Sequence, residues 1–545
     1  MKNSVQIPVC IFFILLSISL SAQFTSYDNN AIPYKGNRSV LFGTDIIIND
    51  QPIQNQKTVA QCAALNGWLY AAYSYDKSGI AYISVMRSID NGINWTLLFD
   101  GGMGLHNTIF TKIELVTGGN TIDGIKLFIG AMYYDTINHG STALLVRING
   151  ETGVNEGTLW NNVAGEIKDI ALATDQPYHA NNSNPYSIGF VYTRVYLDKD
   201  SIIFRSSSNG GLYFDNYQVL AAGEGYFHNV DLAYGRSPAF PDGGYFATWE
   251  QKSTTSSKYG HIYSSHSWPN FNSPFTDPVC LDSIDISAIN MCRNPVIACQ
   301  YSDTDNDSSN LTQIVLFEKF KPGDLDYDVV GCYNLKASSN GPFNLMNVAT
   351  SVNNELYPDI AFNPYDSTFM VTYFDSTGLK LPFVVNNFNM ADPNFWTVVS
   401  PGYNDNTNIS APYPNVSLDF SKGAGCVVWN SGQTGNNGAA MFDAEYIYYT
   451  GASENRQNEF AKLFMVYPNP CSSSVTIAFE LHNTERVTII LYSIVGQPLR
   501  ILTDNQYEKG THEINSDLSN LSEGIYNCFF KVGDFTSNNR ISVVK

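Results

Sequence analysis

Two glutamates stand at matching places in the chain. Glu250 directly follows the run Tyr245-Phe246-Ala247-Thr248-Trp249, and Glu318 directly follows Gln313-Ile314-Val315-Leu316-Phe317. Asp375 and Asn430 take the same place after the runs 369–374 and 426–429. If such strand ends share one face, paired carboxylates there could supply the acid and the base or nucleophile that cleave a glycosidic bond. The same groups also serve to cap strands and hold water. The expectation is therefore no assigned catalytic residue, with Glu250, Glu318 and Asp375 as the candidates if there is one, and Glu114 on a further apolar run.

Asp303-Thr304-Asp305-Asn306-Asp307 begins like a calcium loop, but Ser308 stands where glycine is needed and Ile314 where the closing glutamate belongs. A solvated hairpin loop without metal is expected there, with calcium on Asp303, Asp305 and Asp307 as the alternative. No H-E-x-x-H, G-x-S-x-G or phosphate-loop pattern occurs.

The runs that carry these residues recur. The clearest copy is Tyr357-Pro358-Asp359-Ile360-Ala361-Phe362, a turn at 363–366, and a β-branched and aromatic run to Asp375. Related units begin near Val59, Lys112, Lys168, Asn229, Asn294 and Tyr413, roughly 50–65 residues apart, the spacing of four-stranded propeller blades. Further strands follow in some units, joined by Asn-Gly turns at Asn91-Gly92 and Asn209-Gly210. An all-β fold is expected, with a seven-bladed propeller over 24–451 and six blades as the alternative. Its ring would close by pairing 39–48 with 446–449.

At 545 residues the chain exceeds one ordinary core. Its formal charge of -20 disfavours phosphate backbones and anionic lipid, so nucleic acid is excluded as a partner. Residues 1–22 read as a signal peptide: Lys2, an apolar run from Ile7 to Leu20, then small residues to Ala22. No other stretch is long and apolar enough to span a membrane. Eight cysteines remain beyond the leader, and Cys280 with Cys292 and Cys471 with Cys528 are the disulfide pairs to test, against plain buried thiols. No Cys/His spacing matches a zinc motif.

Ser88-Ile89-Asp90-Asn91-Gly92-Ile93-Asn94-Trp95 fits the Asp-box pattern S-x-D-x-G-x-x-W, and Ser207, Asn209, Gly211 and Phe214 form a degenerate copy. Ser and Asp bond turn amides, Gly allows positive φ, and the aromatic packs on the blade. Through these boxes, 24–451 resembles the sialidase-like, BNR-repeat propellers. The resemblance implies a structural role for the boxes. Sialidases also clamp a substrate carboxylate with three arginines, the first ahead of the first box. Apart from Arg87, which abuts the box turn, only Arg38 precedes the box here, in a poor context, so sialidase activity is not expected.

After a polar linker at 452–463 the texture changes to short strands of a small antiparallel sandwich. Tyr467-Pro468-Asn469-Pro470, the strand ending before Gly496, Gly510-Thr511-His512, Gly524-Ile525-Tyr526 and a terminal strand to Lys545 follow in order. Residues 464–545 thereby resemble the type A C-terminal sorting domain of Bacteroidetes type IX secretion substrates. That resemblance implies export to the periplasm, recognition by the outer-membrane secretion machinery, and a final place outside the cell or on its surface. The propeller is expected to be a non-enzymatic module that binds a glycan or surface protein. The alternative is an extracellular hydrolase acting on polysaccharide.

Overall fold

The structure is a computed structural model. It describes residues 38–545 except 43–45, 50–57, 90–91, 162–164, 176–184, 285–290, 302–310, 338–341, 364–367, 387–395, 400–402, 404–415, 431–439, 450–460, 468–470, 494–497 and a few single or paired loop residues. The described chain is all β, with a single 3-10 turn at Asp282–Ile284. No helix among the described residues is long and apolar enough to cross a membrane. Two compact units are present, residues 26–450 and 451–545.

The first unit is a β-propeller whose described strands fall into seven antiparallel sheets. Sheet one runs Val59–Ala63, Leu69–Lys77, Ile80–Ser88 and Thr96–His106, each strand beside the next. Sheets two to six repeat that order, starting from Thr108–Asn120, Glu166–Thr174, Tyr226–Ser237, Cys292–Cys299 and Glu355–Asn363. Sheet seven takes three strands from Val416–Ser421, Ala424–Asn430 and Ala440–Tyr449, its fourth from Arg38–Phe42, and a short fifth from Ile46–Ile47, which also pairs with Ala440–Tyr449. Arg38 pairs with Tyr449 and Phe42 with Glu445, so the two ends of the unit share one sheet.

Each sheet is buried on both faces, which is why its second strand reads as an unbroken apolar run. Leu127 and Ile129 pack against sheet one, whereas Phe128 packs against sheet three. The alternation continues around the unit: Phe246 meets Val315 of sheet five, and Trp249 and Tyr245 meet Phe204 of sheet three. Val428 and Phe442 of sheet seven meet Ala71 and Tyr73 of sheet one. Burial of one such aliphatic or phenyl side chain contributes about 1.5–3 kcal/mol. Polar groups stitch the same interfaces. Asp169 Oδ2 accepts from Val230 N–H at 2.9 Å, Asp231 Oδ2 from Ile297 N–H at 2.8 Å, and Gln61 Nε2 donates to the Cys426 carbonyl at 2.7 Å.

In both turns expected to be Asp boxes the serine hydroxyl accepts from the glycine amide, Ser88 Oγ from Gly92 N–H at 2.8 Å and Ser207 Oγ from Gly211 N–H at 2.9 Å. Asn209 Oδ1 accepts from Tyr213 N–H at 3.0 Å, and Phe214 packs on the core between sheets two and three. Trp95 meets Phe442 edge-on at 5.1 Å. Asp90 lies outside the described residues.

The second unit is a sandwich of a three-stranded sheet, Ala461–Tyr467, Ser474–Leu481 and Gly510–Asp517, and a four-stranded one, Pro498–Tyr507, Glu485–Ser493, Gly524–Val532 and Phe535–Val543. Ile477 and Phe479 pack against Ile489, Leu491 and Phe530 between them. The strand Ala461–Tyr467 begins inside the segment 452–463 expected as a linker. The edge strand Pro498–Tyr507 turns Leu499 and Ile501 to solvent. Tyr526 Oη donates to the Ser522 carbonyl and Lys545 Nζ to the Ser519 carbonyl, each at 2.8 Å. Pro468, Asn469, Pro470 and Gly496 lie outside the described residues, as do the signal peptide 1–22 and residues 452–460.

Neither of the two disulfide pairs to be tested is formed: all eight cysteines beyond the leader are free thiols, the alternative reading. Cys280 lies on the outermost strand of sheet four and Cys292 on the first strand of sheet five, and the two serve different packing sites. Cys471 bridges to Val543, while Cys528 sits opposite Leu491 within the four-stranded sheet.

Gly92 has φ of +86° and no room: an added Cβ would lie 2.0 Å from the Phe442 ring. Gly79 has φ of +78° and open space around it. Gly79→Ala is expected to cost about 1–2 kcal/mol of backbone strain. Gly92→Ala should cost about 1–3 kcal/mol more through overpacking. Equilibrium denaturation of the two variants checks this, and equal losses would show that Phe442 yields freely.

Candidate functional site

Sheets two to six carry a β-bulge near the start of their first strand. In sheets four, five and six the bulge places Asn229, Asn294 and Tyr357 at φ of 48°, 52° and 54°. Asparagine tolerates this left-handed region, whereas a tyrosine there is strained and must be held. A bulge re-aims side chains out of the regular alternation. Here it turns the first strands toward the ends of the second strands, where Glu250 pairs with His228 and Glu318 with Arg293.

The structure brings two of the three catalytic candidates together. Glu250 and Glu318 are fully buried. Asn229 Nδ2 donates to Glu250 Oε2 at 2.7 Å and to Asn294 Oδ1 at 2.9 Å, and Asn294 Nδ2 donates to Glu318 Oε1 at 2.8 Å. Tyr357 N–H donates to the same Glu318 oxygen at 2.9 Å, fixing the strained residue. Arg293 Nε donates to Glu318 Oε2 at 2.6 Å, and Lys252 Nζ lies 3.2 Å from Glu250 Oε1. One hydrogen-bonded chain thus joins three sheets.

These groups enclose a cavity of about 230 Å³ lined by Asn229, Glu250, Lys252, Lys258, Arg293, Asn294 and Tyr357. At its rim Tyr259 stacks on Phe320 with centroids 5.3 Å apart, and Tyr259 and Tyr327 hydroxyls meet at 3.0 Å. Lys258 Nζ stands 5.2 to 5.5 Å from all three rings, and the Arg293 guanidinium lies 4.2 Å over Tyr327. Burial opposes the charge on Arg293, but Glu318 beside it holds the guanidinium above its ordinary value. Burial and the charge of Lys252 push His228 below the usual histidine range, leaving it neutral at pH 7. Three cations thus line the cavity beside Glu250, with Glu318 held against Arg293 and Asn294 of the wall, in a protein whose formal charge is -20.

Asp375 is not part of this set. Its place in sequence was one residue out of register: the residue equivalent to Glu250 and Glu318 in sheet six is Phe374, opposite Leu356. A one-residue offset turns a side chain to the other face. Asp375 Oδ1 instead accepts from Thr377 N–H at 2.9 Å and Gly378 N–H at 3.2 Å, capping an exposed turn. Its strand partner Glu355 is buried and hydrogen-bonded by Ser351 Oγ, and burial pushes its carboxyl up to about 7. Glu114 belongs to another group, with Lys112 Nζ 3.0 Å from it and 2.8 Å from Asp169. Asp303, Asp305 and Asp307 lie outside the described residues. Sequence reasoning passed over Asn229, Lys252, Lys258, Arg293, Asn294 and Tyr357. The one signal for them was the repeated start of the inner unit at Asn229, Asn294 and Tyr357.

In the second unit, residues 465–544 match the family model of the secretion system C-terminal sorting domain. That segment is a secretion-system sorting domain. The sorting domain directs the protein out of the cell, to the surface or the extracellular space, and is the part that the secretion machinery recognises. A search of curated proteins finds no match to the chain. Among solved structures, the chain is similar to an alpha-L-arabinanase of Penicillium chrysogenum, at 14% identity over 74% of this chain and 98% of that one, with a TM-score of 0.38. It is similar to an alpha-L-arabinofuranosidase from Fusarium graminearum at 11% identity, over 74% and 97% of the two chains, with a TM-score of 0.39. Polysaccharide lyase Uly1 aligns at 9% identity, over 74% and 90%, with a TM-score of 0.41. The chemistry of the cavity is taken from its own residues.

Tyr357→Asn and Tyr357→Ala both remove the ring from the cavity wall, but only asparagine accepts the left-handed backbone. The Asn variant is expected to be more stable than the Ala variant by about 1 kcal/mol in equilibrium denaturation. Equal stability would show that the strand relaxes once the ring is gone.

Proposed function

We propose that residues 26–450 form a seven-bladed Asp-box propeller that binds an acidic saccharide in the cavity between sheets four, five and six. One observation carries the reading. Lys252, Lys258 and Arg293 converge on the cavity, while the buried carboxylates of Glu250 in its wall and Glu318 beside it are already engaged by amides and cations. Glu250 and Glu318 therefore act as counter-ions and positioners. They hold Lys252 and Arg293 at the wall and leave Lys258 to meet a ligand carboxylate or sulfate. The Tyr259, Phe320 and Tyr327 rings offer faces on which a sugar ring can stack. The cavity is smaller than the roughly 300 Å³ at which drug-sized sites begin, so it suits one charged sugar unit of a chain.

The second reading is hydrolysis of a polysaccharide. It is favoured by the short path Glu250, Asn294, Glu318, which sets two carboxylates in neighbouring sheets. Cleavage needs one carboxyl free to donate a proton and another free to attack or to activate water. Glu318, with three hydrogen bonds, meets neither demand. Binding is thus the better supported function for a protein delivered outside the cell.

Calorimetric titration of the mature chain with an oligogalacturonate and with its uncharged methyl ester separates the readings. Saturable binding of the acid is expected, weakened by added salt, without release of reducing ends. Lys258→Gln, at an exposed position, should weaken binding about tenfold. Equal affinity for the ester would overturn the acidic-saccharide reading, and reducing-end release would replace it with hydrolysis.

A further inference from the structure

Sheet four holds a second group of reactive side chains outside the cavity. Its third strand, His261–His266, begins at His261, and its fourth, Val279–Cys280, is only two residues long. Tyr263 pairs with Cys280 and Ser264 with Val279, after which the chain enters the turn Asp282–Ile284. Three side chains of metal-ligand type are thereby gathered, the two oxygens of Asp282 each facing one of the other two. His261 Nδ1 is 3.0 Å from Asp282 Oδ2, and Cys280 Sγ is 3.1 Å from Asp282 Oδ1. Cys280 Sγ and His261 Nδ1 are 3.9 Å apart.

We propose that His261, Cys280 and Asp282 form a site for a divalent transition-metal ion, zinc above all. Bonds of about 2.0–2.3 Å at tetrahedral angles set neighbouring ligand atoms about 3.3–3.6 Å apart. Taking one ligand atom from each residue, all three lie within 4.8 Å of one another, so side-chain rotations that draw them together would complete the set. A thiolate, an imidazole and a carboxylate together select zinc or its neighbours over calcium and magnesium, which take oxygen ligands. The surroundings are built to hold the donors. Asp282 is buried, and its Oδ1 also accepts from Ile262 N–H at 3.1 Å. Ser283 Oγ donates to the Cys280 carbonyl at 2.7 Å. His261 and Cys280 are half-buried, which gives the ion a path in and leaves its fourth position to solvent.

A reactive-cysteine reading fits less well. A nucleophile pair needs the acid on one imidazole nitrogen and the sulfur on the other. Here Cys280 and Asp282 both face Nδ1. Metal entry displaces the Cys280 thiol proton to solvent, so one proton is released for each ion bound. The consequence is structural. His261 pairs with Gln251 across the hairpin that carries Lys258 and Tyr259, so the ion would fix both the short outer strand and the base of that hairpin.

The test uses the full mature chain, freed of metal by a chelator and titrated with Co²⁺ as a spectroscopic substitute for zinc. One equivalent is expected to bind, with a thiolate-to-cobalt charge-transfer band that Zn²⁺ bleaches. The band should vanish in Cys280→Ser, and His261→Gln should weaken binding by about tenfold or more. Zn²⁺ should raise the unfolding temperature of the wild type and leave that of Cys280→Ser unchanged. No charge-transfer band, or the same band in Cys280→Ser, would overturn the assignment. These readouts are independent of whether any saccharide binds.

Discussion

Two carboxylates taken fully out of water govern the polar cluster between sheets four, five and six. A buried, unpaired carboxylate costs several kcal/mol, and breaking a buried pair costs about 3–5 kcal/mol. Glu250 and Glu318 therefore demand partners, and the local structure is organised to supply them. The bulges in sheets four, five and six bring amides to the right places, Asn229 and Asn294 relay hydrogen bonds between sheets, and Tyr357 accepts backbone strain to present its N–H. Lys252 and Arg293 complete the balance of charge. What stabilises the carboxylates also lines the cavity with cations.

That arrangement depends on the ring of sheets. Each sheet packs against two neighbours, and sheet seven packs back onto sheet one through Phe442, Val428, Ala71 and Tyr73. Because the fourth strand of sheet seven comes from Arg38–Phe42, the start of the unit is pinned to its end. Sheets four to six can then hold a strained, polar cluster without spreading apart. The stabilising burial lies in the apolar interfaces, and the polar cluster draws on it.

The sequence made the scaffold readable for a physical reason. Strands buried on both faces, such as Tyr245 to Trp249, read as unbroken aromatic and β-branched runs, and two serine-glycine turns announced themselves by composition. Glu250 and Glu318 were visible because they interrupt those runs at matching places. Asp375 looked equivalent and was not, since a shift of one residue in register leaves composition almost unchanged while reversing the face. The cavity wall was hidden for a related reason: Lys252 and Lys258 resemble ordinary hairpin cations, and only the bulges turn Asn229, Asn294 and Tyr357 inward. His261, Cys280 and Asp282 follow no motif spacing, because strand pairing and not helix periodicity assembles them.

The central claim is that the buried carboxylates position cations for an acidic ligand and take no part in chemistry themselves. A crystal structure of the mature protein with a bound galacturonate trimer tests it most directly. The account predicts a sugar carboxylate within hydrogen-bonding distance of Lys258 and Arg293, with Glu318 still bonded to Asn294 and Tyr357. A glycosidic oxygen seated against a Glu250 carboxyl released from Asn229, or a trimer bound elsewhere on the protein, would contradict it.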